Sequence, residues 1–217
     1  TASEYVPDTD QMLFKTGFGG LGIKKVYNCP IRRRPVSESV NVEDLVVSNA
    51  LATLGNAGRI THVTKMRPST LRRLQLLKFY RDVPIGTPTQ SDQPTAVDQA
   101  KADIQGVQAQ VQDPKDADHT ILEILCELEL DEFAPTHFKN KGLPLPYRVT
   151  IEKDSQKVLE IRRNWREDDK QCLAKEYYVE YVFVRAFGFY GLGLLHILGN
   201  TTKTLTAAWR EFIDSGM

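Results

Sequence analysis

The chain has 217 residues, its 28 basic and 28 acidic side chains cancel, and 41% of it is hydrophobic. That length can bury a substantial core, while the neutral balance excludes a global field drawing the molecule to nucleic acid or anionic lipid. Cys29, Cys126 and Cys172 are odd in number and far apart, which points to free thiols in a reducing setting; no apolar run approaches the roughly eighteen residues of a membrane span, so no membrane partner is expected.

Residues 1–11 are polar, carry Pro7 and two aspartates, and read as a poorly ordered leading arm. From Met12 the run MLFKTGFGGLGIKKVYN places apolar residues on both sides of Gly17, Gly19, Gly20 and Gly22, which predicts two strands meeting at a glycine-rich turn. Gly17, Gly19 and Gly22 satisfy G-x-G-x-x-G. A dinucleotide site needs that turn to open a helix, yet IKKVYNCP runs into Pro30 as a strand, so a structural turn is expected.

Arg32, Arg33 and Arg34 lie between two prolines, in chain expected to be extended, as a solvated loop or a phosphate contact. Asn41, with Asp44 three residues on, resembles a helix cap, and Val42, Leu45, Val46, Asn49 and Ala52 follow helical spacing as far as Gly55. Residues 59–66 alternate as a half-buried strand in which His62 is a hydrogen-bonded residue and not a ligand. A second short helix is predicted with Ser69 as its cap and Leu71, Leu74 and Leu77 along it.

Residues 86–120 shift to Gln, Asp, Ala, Thr and Pro with no aromatic residue. Val97, Ala100, Ile104, Val107 and Val111 alternate spacings of three and four, so this excursion carries one amphipathic helix interrupted by Gly106, or is disordered. ILEILCELEL then sets Leu122, Ile124, Cys126, Leu128 and Leu130 on one face of a strand, against Glu123, Glu127 and Glu129. LPYRVTI and KVLEIRRNW form a hairpin around Lys153–Gln156, and EYYVEYVFVRAF is a further strand. One antiparallel sheet with helices on one side gives an α+β fold: a β-rich domain with short helices over 1–191, and a long helix over 192–217.

That helix follows the glycines of FGFYGLG. Leu195, Leu198, Thr202, Leu205, Trp209 and Phe212 lie on one stripe, and Gly216 is placed for a left-handed C-terminal residue. A rod of about twenty residues, some 30 Å long, needs a cover for that stripe. The cover is either its own sheet or another subunit.

No residues carry the spacing of a zinc site, a Walker A loop, a nucleophile elbow or H-E-x-x-H. Glu127, Glu129, Asp131 and Glu132 do cluster beside His137 in sequence, which leaves a metal-dependent nuclease as an alternative to solvent-facing charges at a strand end. A small adaptor module on the same sheet is a further alternative. No cofactor is expected.

The strings GFGGLGIKKVY, VNVEDLVV, RITHVTKMRPSTLRRLQLLKFYRDV, ILEILCELEL, LPYRVTI, VLEIRRNW and FGFYGLGLLHILGNTTKTLTAAWREFIDSGM occur in that order. Together, from Met12 to Met217 with 86–120 excepted, they resemble the portal proteins of tailed bacteriophages, the head-to-tail connectors, in particular those of short-tailed phages. The resemblance implies a structural protein of the virion and not an enzyme, assembled in the host cytoplasm. It would form a homo-oligomeric ring, a dodecamer when full length, that packages and ejects double-stranded DNA without reading its sequence. Implied partners are capsid and scaffold proteins, the terminase and a tail adaptor. The β-rich part would be the wing and the last helix the first stem helix, with Leu198, Leu205, Trp209 and Phe212 at a subunit interface. The family chain continues into a clip, a second stem helix and a crown, so this sequence is expected to be a piece of a longer one.

Overall fold

The computed structural model of the chain describes residues 2–29, 32–48, 50, 53–88, 96–108, 117–139, 141–186 and 188–216. It is an α+β fold with two antiparallel sheets and a long last helix, as expected. The strands divide between the sheets differently from the single sheet predicted. Two compact units form, one from 1–60 with 166–217 and one from 61–165. The division expected at 191/192 does not coincide with them, because the last helix belongs to the unit that holds the first.

The first unit opens with an 18-residue helix, α1 (Ala2–Gly19), where a disordered arm and a strand were expected. Pro7 lies inside it, which would ordinarily cost a helix about 3 kcal/mol. Polar partners far along the chain hold it in place. Asp8 accepts from the Ser39 amide at 3.0 Å and hydroxyl at 2.6 Å, and Lys24 Nζ lies 3.2 Å from Asp8, 2.6 Å from Thr9 Oγ1 and 4.0 Å from the centre of the Tyr5 ring. The polar residues Glu4, Asp8 and Thr9 of this stretch therefore make long-range contacts.

Gly20 (φ +94°) ends α1 and starts β1 (Leu21–Cys29). Strand β1 is the centre of a sheet in the order β2-β1-β8, with β2 (Arg34–Val40) and β8 (Tyr178–Val182) both antiparallel to it. Lys24 faces Ser39 on one side and Val179 on the other, so its ammonium meets α1 from the middle of the sheet. Arg32 and Arg33 form a turn, with Arg33 at φ +49°, where extended chain was expected. Arg34 and Arg32 lie 2.6 and 3.7 Å from Glu4 of α1.

The helix predicted after Asn41 is reduced to a 3₁₀ turn (Val42–Asp44) followed by β3 (Leu45–Val47). Asn41 makes no capping bond; its amide donates to the Asp44 carboxylate at 3.1 Å. Leu45 and Val47 are buried and Val46 is exposed, a period of two that suits branched side chains better than a helix does. Asn49 and Ala52 lie outside the described residues.

In the second unit β4 (Arg59–Met66), β5 (His119–Leu128), β6 (Leu145–Glu152) and β7 (Lys157–Arg163) are neighbours in that order. His62 is buried in β4, and its Nδ1 lies 3.4 Å from Thr64 Oγ1. The β6–β7 hairpin turns at Lys153–Gln156 as predicted, with Gln156 at φ +54°. Helix α2 (Pro68–Leu76) is capped by Arg67, not Ser69, and Pro68 occupies its first turn, where the missing N–H has no intrahelical partner to lose. Leu71 packs with Ile121 and Leu159, and Met66, Tyr80, Val83 and Ile85 close around them. Gln75 donates to the carbonyls of Arg81 and Val83, and Arg81 N donates to Leu159 at 2.8 Å, covering the outer edge of β7.

The core face of β5 differs from the predicted one. His119, Ile121 and Leu125 are buried, while Leu122, Ile124, Cys126 and Leu128 are half-buried. Leu71 of α2 packs on the Ile121 side, so helix packing outweighs the count of aliphatic residues on the other face. The excursion does carry a helix, α3 (Ala96–Gln105), ended by Gly106 at φ +68°. Ala102 is buried, while Ile104 and Val107 of the expected stripe are exposed. Val111 lies outside the described residues.

Candidate functional site

Two glycine-rich stretches, far apart in sequence, meet in the first unit. A methyl group placed on Gly191 would lie 2.3 Å from the Gly20 carbonyl oxygen, and one on Gly193 would lie 2.0 Å from that of Phe18. Only backbone without side chains allows this approach. The Phe183 amide donates to Gly20 at 3.0 Å and the Leu192 amide to Val184 at 2.8 Å, so the chain after β8 doubles back across the end of α1. Gly22 approaches α1 just as closely, since a methyl group there would meet Thr16 Oγ1. The G-x-G-x-x-G pattern thus closes a helix onto a strand, in the reverse order to a dinucleotide-binding turn.

From this junction projects α4 (Leu194–Ser215), 22 residues long. Its first turn is secured by His196, whose Nδ1 accepts the Gly193 amide at 3.2 Å. The hydroxyls of Thr202, Thr204 and Thr206 donate to the carbonyls of Leu198, Asn200 and Thr202 at 2.7–2.9 Å, so the helix satisfies these groups itself. At the far end Gly216 is right-handed (φ −91°), not left-handed as predicted, and its amide donates to Phe212 and Ile213.

None of the side chains of α4 is buried. The four residues predicted at an interface share its stripe: Leu198 is 50% exposed, Leu205 59%, Trp209 57% and Phe212 70%. Trp209 and Phe212 stack edge to face at 5.9 Å. Sequence reasoning missed the residues that continue this surface on α1. Phe14 and Phe18, both exposed, stack at 4.7 Å. Their spacing of four is a helical signal hidden by the glycines around it.

Beside the stripe, Phe18 and α4 from Leu194 to Arg210 line an open groove of about 610 Å³. Its floor is apolar, from Phe18, Leu194, Leu195 and Leu198, and its far rim carries Lys203 and Arg210. Neither cation is in an ion pair among the described residues. An exposed apolar patch rimmed by polar side chains is the form a contact surface takes.

The acidic residues near His137 do not form a comparable site. Among the described residues no group of three or more His, Cys, Asp or Glu is placed to hold a metal ion. His137 is exposed and stacks on Phe138 at 4.3 Å. Nor is any helix among the described residues long and apolar enough to cross a membrane. Compared with models of protein families and with curated proteins, the chain matches none.

Proposed function

We propose that this chain is the wing and first stem helix of a tailed-bacteriophage portal protein, a structural subunit and not an enzyme. The observation that carries the reading is α4: a rod of 22 residues, seated by glycines at one end, with no buried side chain and an apolar stripe in solvent. Such a stripe is the face an amphipathic helix buries, and in this reading a neighbouring subunit and the second stem helix cover it. The order of the resembling strings from Met12 to Met217 supports the same reading.

In this reading Leu198, Leu205, Trp209 and Phe212 pack between subunits of a closed ring, and α4 braces a channel through which double-stranded DNA passes without base readout. The ring occupies one vertex of the virion, having assembled in the host cytoplasm, and receives capsid and scaffold proteins, the terminase and a tail adaptor.

Negative-stain imaging of the full-length gene product tests the proposal. A ring with a central hole is the expected result, and Trp209→Ala should reduce ring formation while leaving the circular dichroism spectrum unchanged. A monodisperse monomer at all concentrations, or magnesium-dependent cleavage of DNA by the purified chain, would overturn it.

A further inference from the structure

We infer that the groove between α1 and α4 is a docking site for an acidic amphipathic helix of a different protein. The inference does not rest on the ring reading and concerns the chain outside a ring, because Leu198 on the groove floor is also one of the residues proposed to pack between subunits. Phe18, Leu194, Leu195 and Leu198 give a floor with no charge, and Lys203 and Arg210 stand two helical turns apart on one rim, about 10.5 Å along the axis. From Leu194 to Arg210 the lining runs about 24 Å, the length of a partner helix of about 16 residues, with the leucines at one end and Thr202, Thr206 and Ala207 beside the cations. Such a helix would lay leucine-type residues at spacings of three and four on the floor and set carboxylates opposite the two cations.

Charge selects this occupant over the others. A second copy laying its own α4 here would bring Lys203 and Arg210 together with Glu211 and Asp214, and so no net negative charge to answer the two cations. An anionic bilayer would meet all of α4, whose Glu211 and Asp214 cancel the two cations, so the helix has no net charge to hold it there. Only the groove side is basic, because neither acid lines it.

The test titrates the full chain with a labelled synthetic helix of about 16 residues, leucines at spacings of three and four and glutamates between them, and follows fluorescence anisotropy. A second peptide has lysine in place of each glutamate. We expect saturable binding of the acidic peptide, on the order of tenfold tighter than the basic one and weakened by salt. The double variant Lys203→Glu/Arg210→Glu should reverse the preference, Leu195→Asp should abolish binding of both peptides, and Phe212→Ala, outside the groove, should leave binding unchanged. All four positions are exposed, and circular dichroism checks that each variant keeps the fold. Equal binding of the two peptides, indifference to the charge reversal, or binding to phosphatidylserine vesicles in place of the acidic peptide would overturn the inference. Sedimentation of the same samples reports the oligomeric state separately: a monomer that binds the peptide supports the groove and counts against the ring.

Discussion

Gly193 sits against the Phe18 carbonyl with no room for a side chain: a methyl group at 193 would stand 2.0 Å from that oxygen and 2.5 Å from the Gly20 nitrogen. The obstacle is backbone at the junction of α1 and β1, which cannot rotate away as a side chain can. The start of α4 is therefore fixed by a contact that only glycine permits.

Gly193→Ala should lower stability by about 1–3 kcal/mol, as overpacking does, and displace the start of α4. Gly199 is the opposite case. It lies inside α4 with nothing near its missing side chain, so Gly199→Ala should stabilise the protein by about 0.5–1 kcal/mol through helix propensity alone. Urea titration of the two variants checks the difference in sign.

Buried Glu152 lies 3.4 Å from His119 Nδ1 and accepts the Ser155 amide at 2.6 Å and also its hydroxyl. Burial alone would raise its pKa. The Ser155 hydroxyl and amide, the Asp154 amide and His119 outweigh burial and hold it below the ordinary value near 4.5. A depressed carboxyl contributes stability that is fully present above its unfolded pKa and is lost as pH falls through its folded one. Glu152→Ala should destabilise by about 2–3 kcal/mol at pH 7, and the gap to the unmodified chain should narrow as pH drops below the ordinary carboxylate value. Denaturant midpoints across acid pH measure this.

Asp8 follows the same sign for a different purpose. Burial raises its pKa, but the Ser39 hydroxyl and amide together with Lys24 bring it below the ordinary 3.8. Asp8→Asn leaves the Lys24 ammonium, 3% exposed, without its carboxylate, and should cost about 2 kcal/mol. Hydrogen exchange should rise first across α1, because this contact holds the helix to the sheet.

Trp209→Ala should change the stability of the chain by less than about 1 kcal/mol, since the side chain is 57% exposed and meets only its own helix neighbour Phe212 among the stacking partners described, whereas truncating a core tryptophan costs about 3–5 kcal/mol. Thermal unfolding of the variant distinguishes a surface role from a core role without reference to assembly.

Local periodicity made α4, β4, the β6–β7 hairpin, α2 and α3 legible, along with the apolar stripe that holds Leu198, Leu205, Trp209 and Phe212. It failed where long-range contacts decide. The polar run holding Glu4, Asp8 and Thr9 carries no signal for Lys24, Ser39 and Arg34, so α1 looked like an arm. The aliphatic count in ILEILCELEL favoured one face until Leu71 covered the other. The groove needs Phe18 and Leu195 together, 177 positions apart in sequence, and no local rule joins them.

The sequence by itself determined that α4 would be long, amphipathic and preceded by a glycine turn, because helix period and glycine's missing side chain are local properties. Only the tertiary structure decided that this turn meets the glycines after α1, that β8 pairs with β1 instead of joining the β5–β7 sheet, and that α4 buries none of its side chains. Those outcomes depend on which backbones can approach to within contact distance, a condition imposed by residues far apart in the chain.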